Sequence, residues 1–324
     1  MDTNKRYFGK FLNIIMSYGM YLILVIVFII YSITAERFLS IFNINRIMYD
    51  ASPLIMISIG LALVIISKSI DISVGSIAFL SSTIGIFAVR ELNVSPLLSI
   101  VIILLVSILC GLINGFLIVR LDINPLIITL GMMISLRGIA IRMTSGSQWT
   151  APKAIQEFGT MSIGPVHLES ILVIIVLILV QIVLSKTLFG RYIYLIGCDT
   201  EAAKSIGINV KFIKMVLFIF SGFFAGVAGI FLLGKIGSVS EHTGYGMEFL
   251  AIAVITIGGI SLFGGKGTLI PGLLVGAITL IMIENGLNYL GFTPYGYPLI
   301  RGLIIFVAMF VDSFRYKKRI LGNI

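Results

Sequence analysis

Long apolar runs broken by short polar stretches set the pattern of this chain. A helix needs about 20 apolar residues to cross the hydrocarbon of a bilayer, somewhat fewer where neighbours shelter it. Runs of that kind lie at 14–34, 52–67, 74–89, 97–119, 124–142, 168–185, 213–233, 247–262, 268–290 and 298–313. They predict ten helices, because lipid leaves each backbone amide to be satisfied within its own segment. The second, third and eighth are short or rich in Ser and Gly, so they are expected to be internal, broken or re-entrant. Between the sixth and seventh runs lies "GCDTEAAKSIGINVKF" (Gly197–Phe212), among the most polar stretches of the chain.

Composition removes the soluble alternative. A length of 324 residues would suit two soluble domains, but 58% of them are hydrophobic and only 11% charged. Soluble domains carry about 25% charged residues, and the mean hydropathy here is +1.12. The expected fold is therefore an all-α integral membrane protein of about ten transmembrane helices, one domain over 1–324. The basic start "MDTNKRYFGK" leads into a long apolar run without a small-residue cleavage site, which predicts a retained first span.

Charge placement tests the count. The formal net charge of +9 would suit a nucleic-acid partner, but membrane proteins gather Lys and Arg on their cytoplasmic loops for another reason. With the N-terminus in the cytoplasm and strict alternation, inside segments hold fifteen basic residues. Outside segments hold six, Arg37, Arg46, Arg90, Arg142, Lys153 and Lys235, and Arg137 and Arg301 fall within spans. The bias predicts cytoplasmic termini, a basic cytoplasmic tail at 314–324, and no nucleic-acid partner. The longest cytoplasmic connection is then about 186–214.

Within that connection the polar stretch predicts a short helix. Asp199 or Thr200 suits the N-cap, Glu201 the first turn and Lys204 the last, with Gly207 as a left-handed C′ residue. Such a helix is too short to stand alone in water. Ala202, Ala203 and Ile206 would share a small apolar face. That face has two uses, packing on the protein's own helix ends or docking a partner. The length of the loop favours a partner.

These residues also carry a resemblance. "GCDTEAAKSIGINVKFIK" is similar to the cytoplasmic loop of the sugar-type inner-membrane permeases of ABC importers, the ribose, xylose, galactose and autoinducer-2 permeases among them. The matching positions are Gly197, Ala202, Ala203, Gly207, Ile208, Val210, Lys211 and Lys214. "DISVGSI" (Asp71–Ile77), "GLINGFLI" (Gly111–Ile118), "NPLIITLGM" (Asn124–Met132), "GGISLFGGKGTLIPGLLVGAI" (Gly258–Ile278, allowing one extra Ile) and "ENGLNYLG" (Glu284–Gly291) resemble the family's motifs in the same order. The resemblance runs from about Phe38 onward. It implies a type-II-importer-like fold in a bacterial cytoplasmic membrane. It also implies a dimer of two copies or two paralogues, an extracytoplasmic sugar-binding protein, and ATPase subunits that carry the ATP and Mg²⁺. No cofactor is then expected in this chain, and it is expected to be no enzyme. Asp199, Thr200, Glu201, Ala202, Ala203, Ile206, Gly207 and Ile208 become the coupling helix that seats on the ATPase.

Other motifs sort by physical role. "GGISLFGGKGT" fails as a phosphate loop, because Lys266 is followed by Gly267 and no glycine stands five residues before Gly265. Its glycines fit a tight turn, and Gly272 and Gly276 fit a close helix–helix face. Asp71, Ser73 and Gly75 open the third span, where Asp71 and Ser73 are expected to cap helix amides in preference to contacting substrate. Asn114, Asn124, Thr129, Glu284, Asn285 and Asn288 are polar groups in or beside spans. Each either hydrogen-bonds a neighbouring helix or lines a route for hydroxyl-rich solute, since amides both donate and accept. Glu284 and Arg301 make a candidate ion pair between the last two helices. Cys110, Cys198, His167 and His242 show no metal-ligand spacing. Rival readings are a nucleoside or branched-chain amino-acid ABC permease, an ion-coupled secondary transporter and a membrane-embedded enzyme. The last two lack, respectively, several deep carboxylates and a catalytic cluster.

Overall fold

Each predicted run is helical in the computed structural model, which describes the backbone of residues 3–293 and 296–321 and the side chains of 19–293, 296–307, 309–310 and 312–313. In chain order the helices are α1 (Thr3–Thr34), α2 (Ile41–Ile66), α3 (Val74–Leu92), α4 (Pro96–Leu121), α5 (Pro125–Thr144), α6 (Lys153–Thr160), α7 (Leu168–Lys186), α8 (Leu188–Cys198), α9 (Thr200–Ser205), α10 (Val210–Ile236), α11 (Met247–Ile257), α12 (Leu274–Tyr289, entered through a turn at Leu269–Leu273) and α13 (Tyr297–Leu321). Among the described residues seven segments are long and apolar enough to cross a bilayer: α2, α3, α4, α5, α7, α10 and Leu269–Tyr289. Helices α1, α11 and α13 occupy the other three predicted runs. The basic side chains of the tail 314–324 lie outside the described residues.

Burial ranks the helices. The apolar window of α2 is 94% buried, whereas those of α4, α5 and α7 are 17–28% buried. Helix α2 is therefore the axis, α3 and α10 (72% buried) pack close to it, and α4, α5 and α7 form the lipid-facing shell. The second and third runs are internal as expected but neither short nor broken; α2 continues through Pro53 for 26 residues. Only α11 is short, at 11 residues.

Close helix contact rests on small residues. In "GLINGFLI", Gly111 and Gly115 lie against Phe218 and Met215 of α10, and α10 returns Gly222 and Gly226 against Ser107 of α4. Without hydrophobic drive between helices in lipid, such close approach supplies the packing energy. Gly272 and Gly276 likewise meet Val254 of α11 and Gly258 just after it, a close face as the sequence predicts.

The two ends of the bundle differ. At one end α8 lies beside the last residue of α2 and the glycine turn at 264–267, and α9 follows it. At the other, two-residue strands β1 (Trp149–Thr150) and β4 (Ser238–Val239) pair antiparallel, with Trp149 opposite Val239. Beside them α6 crosses α10 where Gly159 meets Gly234. A second small hairpin pairs β2 (Ser162–Ile163) with β3 (Val166–His167).

Candidate functional site

The α8–α9 end is built from the loop at 186–214. Helix α8 was not predicted; it is capped by Thr187, whose hydroxyl accepts the Gly190 amide at 3.2 Å. It is anchored from above, since the Tyr194 hydroxyl donates to Gly267 O at 2.7 Å. Its end also presses on α2. A Cβ on Gly197 would collide with Ile66 O and the Gly265 amide, and that amide donates to Ile66 O at 2.8 Å.

Helix α9 follows as the sequence predicts, with Asp199 as the cap in preference to Thr200. The Asp199 carboxylate accepts the Glu201 and Ala202 amides at 2.9 and 3.1 Å, and Thr200 donates to Ile196 O. Glu201 receives Lys204 at 2.8 Å, which raises the lysine's pKa above its ordinary value. Gly207 has φ +83°, the left-handed conformation a C′ residue needs. The expected apolar face is split. Ala203 is buried, whereas Ala202 and Ile206 face outward, Ile206 with 67% of its surface exposed. One turn of helix has only one side to give to its own protein, so the rest is presented. Ile208 is half-buried beneath it.

At the opposite end a cavity of about 390 Å³ opens between α2, α10, α11, α12 and α13. Two ion-paired groups border it. Arg301 clamps Glu284 with two bonds, at 2.6 and 3.0 Å, which realises the pair predicted between the last two helices. Asp50 receives Lys235 at 2.5 Å and Arg46 at 3.1 Å. Asn285 and Asn288 line the same space, and Asn285 exchanges amide bonds with Asn43 at 3.0 and 3.1 Å. Tyr245 and Tyr297 add aromatic surface.

Three predicted polar residues do not line this cavity. Asn114 is fully buried and donates to Ser73 Oγ at 2.8 Å. Asn124 caps α5 by accepting the Leu126 amide, in an exposed turn. Thr129 is spent on Pro125 O one turn back. The capping role expected at the third span is also corrected, since α3 has no side-chain cap. Asp71 instead accepts the Ser73 amide at 3.0 Å and the Ser73 and Ser221 hydroxyls at 2.6 and 2.8 Å. The connection between α2 and α3 is thus pinned deep in the bundle, because Ser221 lies eleven residues into α10. Gly75 serves the same region by letting the start of α3 touch Gly244.

Asp50, Lys235, Arg46 and Tyr245 went unforeseen as site residues. In sequence they are isolated polar residues at helix ends, and no spacing links position 50 to position 235. Arg137, a span charge, is also placed: it donates to Glu241 O at 2.7 Å and lies over the Phe79 and Tyr245 rings.

A cavity bordered by ion pairs lies at one end and an exposed, capped helix at the other. The family model for "Branched-chain amino acid transport system / permease component" matches residues 43–309. The chain belongs to this permease family. The permease is 31% identical to the galactose/methyl galactoside import permease of Escherichia coli K12, over 96% of this chain and 98% of that protein. It is 36% identical to the fructose import permease of Rhizobium meliloti, over 87% and 80% respectively. Identity to the ribose import permease of Escherichia coli K12 is 32%, over 96% and 97%. No solved structure matches it significantly.

Proposed function

We propose that this permease is the membrane subunit of an ATP-binding-cassette importer that moves a small sugar into a bacterial cell. Ten crossings, with α1, α11 and α13 added to the seven long helices, put both termini and the α8–α9 end in the cytoplasm. The cavity then opens outward, towards a sugar-loaded binding protein. Two permease copies or paralogues form the conduit, and ATPase subunits seat on α9 through Asp199–Ile208.

The observation that carries this reading is the cavity itself. Carboxylates, amides and basic groups surround it, and its charges are held in one pair and one triad. Such a wall offers donors and acceptors to hydroxyls at many angles. Leu54, Leu232, Leu250 and Ile281 share the wall and would also suit an aliphatic side chain, so it is the added amides and carboxylates that favour a sugar over a branched-chain amino acid. The sugars named for the relatives agree with that choice.

The test is uptake into proteoliposomes. Permease reconstituted with its ATPase and binding protein should concentrate D-ribose, D-galactose or D-fructose only when ATP is enclosed with the ATPase. Permease alone should move none of them uphill. Accumulation by the lone subunit on a proton or sodium gradient would make it a secondary transporter.

A further inference from the structure

The cavity contains aromatic and aliphatic surface that hydrogen bonding to hydroxyls does not use, and Tyr245 is the more exposed of its two rings. Tyr245 lines it with 70% of its surface exposed. Exposed aromatic rings are ordinary on a lipid face, but this one borders a cavity that also holds two ion-paired groups. A sugar ring has two kinds of surface, a rim of hydroxyls and faces of C–H groups. Carboxylates and amides serve the rim. The faces need a flat, electron-rich partner, which the π-cloud of an aromatic ring provides.

The loop below Tyr245 is built to hold that ring still. Arg137 donates to Glu241 O at 2.7 Å, and its guanidinium lies over the Tyr245 ring, 5.2 Å from the centroid. Thr243 and Ser240 bond reciprocally, the Ser240 amide to Thr243 Oγ1 at 3.0 Å and the Thr243 amide to Ser240 O at 2.9 Å. The Tyr245 amide closes a turn onto His242 O at 3.1 Å. On either side stand Gly244 (φ +66°) and Gly246 (φ +74°), in a backbone conformation that side chains disfavour. A Cβ on Gly244 would come within 2.5 Å of Gly75 O, so the loop rests directly on the start of α3. Order of this kind removes much of the entropy cost of binding.

We infer that Tyr245 is a specificity-determining residue of the transport cavity, a stacking platform for the C–H face of a cyclic sugar. The inference rests on the sugar-importer reading. It assigns discrimination within the membrane to a ring face, with Arg137 beneath it as a positioning residue.

The experiment uses the complete importer in proteoliposomes, with D-ribose, D-galactose and D-fructose as probes and ATPase activity read in parallel. Tyr245→Phe keeps the face and should import within twofold of wild type. Tyr245→Leu keeps apolar bulk but loses the face, and should lower the maximal uptake rate at least tenfold. ATPase stimulation by the loaded binding protein should stay within twofold. Uptake by the Leu variant at the wild-type rate overturns the inference, as does a Phe variant as impaired as the Leu variant. Should the Leu variant fail to fold, Tyr245→Trp decides: millimolar sugar should shift its emission beyond any change in wild type, whose one tryptophan is Trp149. An unmoved emission overturns the inference. A wild type that imports none of the three sugars overturns the underlying reading and the inference with it, an outcome separable from failure of the variants alone.

Discussion

Ala202 and Ala203 are adjacent and chemically identical, yet one is outside and the other inside. The split predicts opposite consequences for the same kind of change. Ala203→Phe overpacks the seat of α9 and should cost about 1–3 kcal/mol, read as a lower melting temperature of the purified permease. Ala202→Trp alters only outward surface, where substitutions usually stay within about 0.5 kcal/mol. It should leave melting unchanged while reducing ATP-driven uptake at least tenfold, because the bulk lies on the surface proposed to seat the ATPase. Unimpaired uptake by the Ala202 variant would remove α9 from the coupling surface. The sequence showed this helix, its Asp cap and its Gly stop, because capping chemistry is local. It did not show which alanine turned inward, which depends on what α9 lies against.

At the scale of elements, Gly197 joins three parts that are far apart in the chain. Its bare backbone lets α8 reach the end of α2 and the turn at Gly265 together. Gly197→Leu should lift α8 from that seat. The expected outcome is an importer whose ATPase still turns over while sugar uptake falls at least tenfold, measured in one proteoliposome preparation. Parallel loss of both activities would mean that α8 merely supports the fold. Helix positions were legible from apolar runs because bilayer thickness fixes their length. The helix α8, the paired strands β1 and β4, and the pinning of Asp71 were not. Each depends on partners that adjoin only after the bundle assembles. For the same reason Glu284 and Arg301, on neighbouring helices, could be paired from sequence, whereas Asp50 and Lys235 could not.

For the whole molecule, the two thiols report orientation. Cys198 is exposed at the α8–α9 end and Cys110 is buried. A membrane-impermeant maleimide should therefore label the permease in inside-out vesicles and spare it in right-side-out vesicles. Labelling with the reverse preference would invert the topology and put the polar cavity inside the cell. The arrangement of the two ends also bears on how force would travel. Helix α2 is a rod about 39 Å long by helical rise, footed at Ile66 and carrying Asp50 towards its top. The chain that leaves the glycine turn climbs as α12 and carries Glu284. Both shafts are fastened at the bottom by one bond, from the Gly265 amide to Ile66 O. Joined there and again near the top, where Asn43 and Asn285 exchange amide bonds, they would tilt as one frame, so that a displacement at the foot is delivered undiminished to the cavity wall.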